Sequence, residues 1–183
     1  MGTSIGLLEL KSIPVGINTA DEMLKSANVE LLVASPVCPG KYIIIISGNV
    51  GAVKSAMKAG KQIASVYAVS DNIINNVHDS LPQAIIGVTE IEKTSSIGVI
   101  ETISSLTSVV AGDIAAKASN ITLMEIRIAR GLGGKGFVTF TGEISAVRSA
   151  MSSCISELGE TGEIISNVVI PSPHPDILKH IYS

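Results

Sequence analysis

Ile5-Gly6-Leu7-Leu8-Glu9 returns as Ile97-Gly98-Val99-Ile100-Glu101, 92 positions further along the chain. The same displacement carries Asp21, Lys25, Asn28 and Leu31 onto Asp113, Lys117, Asn120 and Leu123. After a two-residue insertion the displacement becomes 94. Gly40-Lys41, Gly48, Ala52-Val53 and Ser55-Ala56-Met57 then recur as Gly134-Lys135, Gly142, Ala146-Val147 and Ser149-Ala150-Met151. Agreement at so many positions with one spacing marks an internal duplication. The 183-residue chain reads as two copies of one domain, 1–91 and 92–183, joined at the polar stretch from Glu90 to Ser95.

In the first copy Ile5 to Leu10 has the pattern of a strand. Ile17, Ala20, Met23, Leu24 and Ala27 fall at helical spacing, which predicts a helix from Ile17 to Ala27. Val29 to Ala34 and Tyr42 to Ser47 read as strands on either side of a Pro- and Gly-containing loop. A second helix from Val50 to Val66 puts Val53, Ala56, Met57, Ile63 and Ala64 on one face, and a last strand covers Val69 to Ile74. The order β-α-β-β-α-β, repeated, predicts an α+β protein of two tandem ferredoxin-like domains, each an antiparallel sheet with both helices on one face. That order serves many unrelated functions, so function has to come from particular residues.

Hydrophobic residues make up 46% of the chain and charged residues 16%, against roughly 25% charge in ordinary globular proteins. With so little polar surface, copies of the chain are expected to cover one another's apolar faces. The longest apolar runs, Tyr42 to Ile46 and the stretch around 168–171, fall far short of the roughly 18–20 residues that cross a bilayer. The opening Met1-Gly2-Thr3-Ser4 has neither the basic nor the apolar region of a signal peptide, so a cytosolic protein with no membrane partner is expected. A net charge of −3 with no basic run argues against nucleic acid as a partner. Two cysteines 116 positions apart in a reducing compartment do not suggest a disulfide.

Cys154 belongs to the helical apolar stripe Ile144, Val147, Met151, Cys154, Ile155, Leu158, where a free cysteine acts as a small buried hydrophobe. Cys38 is placed differently. It stands in Ser35-Pro36-Val37-Cys38-Pro39-Gly40-Lys41, a turn-forming stretch with no helix or strand face to bury it. No Cys-x-x-Cys pair or Cys–His ladder could build a metal site within one chain. The equivalent loop of the second copy, Gly131-Leu132-Gly133-Gly134-Lys135-Gly136, has the spacing G-x-G-x-x-G. The dinucleotide fingerprint must open a helix, whereas Phe137-Val138-Thr139-Phe140 continues as a strand, so the glycines are expected to let the loop pack tightly. Lys41 and Lys135 are candidates to present positive charge there. Glu9 and Glu101, after the first strand of each copy, are expected to be buried, hydrogen-bonded structural carboxylates. The three histidines form no catalytic set, and no enzyme active site is expected.

Asp21-Glu22-Met23-Leu24-Lys25-Ser26-Ala27-Asn28, its repeat Asp113-Ile114-Ala115-Ala116-Lys117-Ala118-Ser119-Asn120, and Ile170-Pro171-Ser172-Pro173-His174 resemble the bacterial microcompartment shell family. With the repeat, the resemblance covers nearly the whole chain. It implies that Lys25 and Lys117 lie at the edge of a hexagonal tile against the neighbouring tile, with His174 as a further edge contact. Ser172 stands where the family usually has arginine. Single-domain members form hexamers, so two fused domains imply a pseudohexameric homotrimer. In that family the loop between the second and third strands faces a central pore. The resemblance thus assigns Pro36, Val37, Cys38, Pro39, Gly40 and Lys41 to the pore loop, with Leu132, Gly133, Gly134 and Lys135 from the second copy.

The resemblance extends to the tandem members whose pore cysteine, in the same Cys-Pro-Gly-Lys setting, holds an iron–sulfur cluster. Three Cys38 thiolates around one axis would supply three of the four cysteines that a [4Fe–4S] cluster usually takes. The expectation is one cluster per trimer, shared by three Cys38. Such a protein would be a structural tile in a microcompartment shell in the cytoplasm, assembled with other shell proteins and passing electrons or the cluster itself across the shell, with a redox enzyme of the lumen as a further partner. A plain metabolite pore with an idle Cys38, and a soluble ferredoxin-like regulator binding a small ligand, are the alternatives.

Overall fold

A computed structural model describes residues 3–91, 94–128 and 131–181. Its elements run β1 (Thr3–Leu10), α1 (Ile13–Ser26), β2 (Glu30–Val37), β3 (Lys41–Asn49), α2 (Val50–Ala64), a 3₁₀ turn (Ser65–Tyr67), β4 (Ala68–Ile74) and α3 (Leu81–Ile86). The second series is β5 (Ser96–Thr102), α4 (Ser105–Ala118), β6 (Thr122–Ile128), β7 (Gly136–Gly142), α5 (Ile144–Leu158), β8 (Ile164–Ile170) and α6 (Pro175–Ile181). By compactness the chain divides into Met1–Pro82 with Ala129–Gly134, and Gln83–Ile128 with Lys135–Ser183. Glu92 and Lys93, in the expected junction, lie outside the described residues. No helix of the described residues is long and apolar enough to cross a membrane.

The sheets have the orders β2-β3-β1-β4 and β6-β7-β5-β8, antiparallel throughout. In the first unit the central pair β1 and β3 is buried on both faces, which is why Tyr42 to Ile46 is a continuous apolar run instead of an alternating one. Leu8, Leu10, Ile44 and Ile46 point to the helices and pack with Met23, Val53, Ala56 and Met57. Side-chain parity then sends Leu7, Glu9 and Ile43 to the opposite face.

Several boundaries differ from the sequence reading, each for a local reason. α1 begins at Ile13, four residues before the expected start, because Pro14 occupies its first turn, where a missing N–H leaves nothing unpaired. β2 extends through Pro36 and Val37, both expected in the loop. It is an edge strand, and an edge tolerates a residue that cannot donate. Glu9 and Glu101 lie within β1 and β5 instead of after them. Asn49 caps α2, its Oδ1 accepting from the Ala52 N–H at 2.8 Å, and Ser104 caps α4 by accepting from the Thr107 N–H at 3.2 Å.

Two short helices, α3 and α6, have no counterpart in the sequence reading. They are equivalent parts of the repeat, each introduced by a histidine. His78 Nδ1 accepts from the Ser80 N–H at 3.3 Å and the His78 carbonyl from the Leu81 N–H at 3.0 Å. His174 Nδ1 accepts from the Asp176 N–H at 3.2 Å and its carbonyl from the Ile177 N–H at 3.0 Å.

The close approach of sheet and side chains depends on Gly98. A Cβ there would sit 2.3 Å from the Phe140 ring, and at the equivalent Gly6 it would sit 2.8 Å from Met57. Gly98→Ala is expected to destabilise the second domain by about 1–3 kcal/mol through overpacking. Gly6→Ala should cost less, because the flexible Met57 can yield. Urea unfolding of the two variants tests the order.

Candidate functional site

The β2–β3 turn is three residues long, Cys38-Pro39-Gly40, closed by the pairing of Val37 with Lys41. Gly40 has φ +73°, the left-handed conformation that such a turn needs at its last position, and nothing within 4 Å would obstruct a Cβ there. The Cys38–Pro39 peptide is cis. Cys38 is half-buried, while Pro39 and Gly40 are exposed. Of the loop residues expected at a pore, Val37 is buried and Pro36 lies exposed on the edge strand.

The corresponding turn of the second copy is two residues longer. Ile128 pairs with Gly136 where Pro36 pairs with Tyr42. Gly131, Gly133 and Gly134 all have positive φ, from +63° to +95°, which explains the glycine run without a nucleotide. A Cβ on Gly134 would be 3.5 Å from both the Cys38 carbonyl oxygen and Pro39 Cδ, so Gly134 lies beside the cysteine turn. Leu132 is half-buried and Gly133 exposed.

The loop lysines are not free charges. Lys41 Nζ lies 3.0 Å from Glu9 Oε2, and Lys135 Nζ lies 3.1 Å from Glu101 Oε1. The register explains both. Glu9 faces Ile43 and Glu101 faces Phe137, so each lysine, two residues before the facing residue, is the diagonal neighbour across the strands. Ser70, directly opposite Glu9 on β4, also donates to Glu9 Oε2 at 3.2 Å. The side chain of Glu9 is 3% exposed and that of Glu101 38%. The expectation of a buried carboxylate thus holds for Glu9 and fails for Glu101, whose sheet face is more open.

That difference belongs to a wider asymmetry. Leu7 and Ile43 are fully buried, whereas their equivalents Val99 and Phe137 are half-buried. Val99, Phe137 and Val168 border an open depression of about 290 Å³ on the second sheet. The helices show the reverse. Ile17 on α1 is 56% exposed and Val109, its equivalent on α4, 0%; Ile13 and Leu24 are exposed while Ser105 and Ala116 are buried. The more exposed side chains are thus on the helix in the first copy and on the sheet in the second.

Lys25 lies on exposed α1 and contacts Asp21 and Glu22. Its hydrogen bond to Asp21 holds the ammonium pKa above the usual lysine value, with the Asp21 charge adding to the effect. Lys117 lies 2.5 Å from Asp113 in the same i,i+4 arrangement. His174 is exposed and serves the α6 turn described above. Cys154 is fully buried, its Sγ donating to the Ala111 carbonyl at 3.4 Å, and burial pushes its pKa up to about 12. Among the described residues no three His, Cys, Asp or Glu side chains cluster as a metal site.

The sequence profile of the BMC domain matches residues 4–77 and again 96–173. Over 181 residues the chain is 39% identical to the bacterial microcompartment shell protein PduT of Citrobacter freundii, covering 99% of this chain and 98% of that protein. It is 29% identical over 192 residues to the carboxysome assembly protein CcmO of Synechococcus elongatus, covering 97% of this chain and 68% of that protein. A microcompartment protein of Desulfitobacterium hafniense, solved by crystallography, superposes with a TM-score of 0.95 at 47% identity, covering 98% of this chain and 99% of that one. The fused permuted hexameric shell protein of the RMM microcompartment shares the fold at 21% identity, with a TM-score of 0.61 over 87% of this chain and 85% of that one. The chain belongs to the BMC-domain family of microcompartment shell proteins, in tandem form. Within that family it is of the PduT type, a structural protein and not an enzyme.

Proposed function

We propose that this shell protein forms a homotrimeric, pseudohexameric tile whose central pore holds one [4Fe–4S] cluster on three Cys38 thiolates. The observation that carries the reading is the position of Cys38. It is half-buried at the tip of a tight turn, on the loop that the sequence resemblance assigns to the pore. The donor set is compatible with a site shared between chains. One chain offers a single accessible thiol and, among the described residues, no cluster of three potential ligands, so symmetry is what would multiply it to a cluster-binding number. When bound, the cluster would supply one-electron chemistry and leave one iron for a ligand other than cysteine. The protein's part is to fix the turn through Gly40 and to place Gly134 beside it without bulk. The Lys41–Glu9 pair keeps the lysine charge compensated at its base.

The trimer is supported by the asymmetry between the copies. A chain that ends in one open helix and one open sheet face has two different surfaces for its own copies. A head-to-tail contact between such surfaces of neighbouring chains closes a ring when the rotation fits. Three chains of two domains fill the six positions of the family's single-domain hexamer. Iron and acid-labile sulfide assayed per trimer on anaerobically purified protein test the reading, with four of each expected per trimer for a [4Fe–4S] cluster. Trimers containing neither would favour the plain metabolite pore.

Lys25 and Lys117 are proposed at the tile edges, where they meet neighbouring tiles and other shell proteins. Reversing both charges in Lys25→Glu/Lys117→Glu places each new carboxylate beside Asp21 or Asp113. Trimers are expected to persist while two-dimensional sheets seen by electron microscopy are lost or reduced severalfold. Unaltered sheets would remove these lysines from the edge contact.

A further inference from the structure

We infer that the groove between α2 and β4 of the first domain is a docking site for an extended, acidic segment of a partner protein. The groove, of about 460 Å³, has Met57 and Ile73 on its floor and Lys54, Lys58, Lys61 and Gln62 along its helix side. The three lysines fall at i, i+4 and i+7, so they stand in one row on α2. Lys61 is held at 2.8 Å by Asp71 across the groove. Lys54 and Lys58 make no ion pair among the described residues and are exposed. A row of unpaired cations is a local exception in a chain of net charge −3.

The duplication provides an internal control. In the second copy the equivalents of Lys54, Lys58, Lys61 and Asp71 are Arg148, Ser152, Ile155 and Asn167, so both the row and its ion pair are missing. The shared fold does not require these lysines, because α5 forms at the same length without them. The groove also opens onto β4, an edge strand bonded only to β1 and exposed along its middle. A strand edge offers main-chain hydrogen bonds to an extended peptide. Charge complementarity along α2 selects acidic side chains on the face of that peptide turned to the helix. A recessed groove with an apolar floor suits such a segment better than a lipid surface.

The test uses the intact protein and a fluorescein-labelled peptide of alternating Glu and Val, about eight residues long to match a strand. Fluorescence anisotropy at low ionic strength is expected to show saturable binding. Lys54→Glu/Lys58→Glu should weaken it by roughly tenfold or more, since like charges would then face each other. Arg148→Glu in the second copy should leave it within about twofold. Amide exchange at Asp71, whose N–H points away from β1, should slow when the peptide is bound, whether or not iron is present. Absence of saturable binding, an equal loss in the Arg148 variant, or binding of phosphatidylserine vesicles in place of the peptide would each overturn the assignment.

Discussion

With serine at position 38 the protein is expected to lose iron binding altogether while remaining assembled. Every thiolate that the proposed trimer offers to its cluster comes from this one position, so a single substitution removes all three at once. A serine hydroxyl is not deprotonated near neutral pH and does not replace them. The fold should tolerate the change, because Cys38 lies on a turn and contributes little to the core. Cys154→Ser is the control. That thiol is fully buried on α5 and its pKa is pushed up to about 12, chiefly by burial, so it has neither the access nor the thiolate character of a ligand. Its replacement should cost on the order of 1 kcal/mol of stability and leave iron content and charge-transfer absorbance intact. Iron retained in Cys38→Ser, or lost in a folded Cys154→Ser, would falsify the assignment of the cluster to the β2–β3 turn.

A carboxylate at Ile17 is expected to turn the assembly into monomers. Ile17 is 56% exposed in the single chain, while Val109 at the same point of the repeat is fully buried. In the proposed ring Ile17 is buried by a neighbouring chain. Ile17→Glu therefore leaves the isolated chain undisturbed and places an unpaired charge in each contact between chains. Burying such a charge costs on the order of 3 kcal/mol, equivalent to about a hundredfold in association at each contact. Val99→Glu, on the open sheet face, should act in the same way from the other side. Val66→Glu, in the exposed 3₁₀ turn, should do little. Light scattering at micromolar concentration distinguishes the outcomes, and an intact assembly in both interface variants would exclude the head-to-tail contact.

The duplication and the β-α-β-β-α-β order were legible in the sequence because both rest on strong local signals. Ile5-Gly6-Leu7-Leu8-Glu9 repeats nearly residue for residue, and the stripes of α1 and α2 have helical spacing. The placement of Cys38 in a turn and Cys154 in a core followed from the same patterns. Proline misled in both directions. Pro14 hid the first turn of α1, and Pro36 shortened β2, since a missing N–H is tolerated at a helix start and on a sheet edge alike. The pairing of Lys41 with Glu9 was missed although its signal was present. Once β1 and β3 are antiparallel neighbours, the register makes these residues diagonal partners, but register is a tertiary fact. The openness of Glu101 had no local signal at all, because its own segment repeats that of Glu9 and only the surroundings differ. The helix-starting roles of His78 and His174 were hidden by the shortness of α3 and α6.

The cysteine turn and its glycine-rich counterpart also bear on heredity. When a ring is built from one unfused domain, a codon change reaches every position around the axis, so a new ligand arrives six at a time or not at all. In the proposed trimer, the change that distinguishes Cys38 from the region of Leu132 would reach alternate positions only. Gene fusion thus separates the outline of a tile from the arithmetic of its centre. In the proposed trimer one half would keep a compact glycine loop while the other tried new chemistry in threes, and selection would act on the pore without disturbing the perimeter.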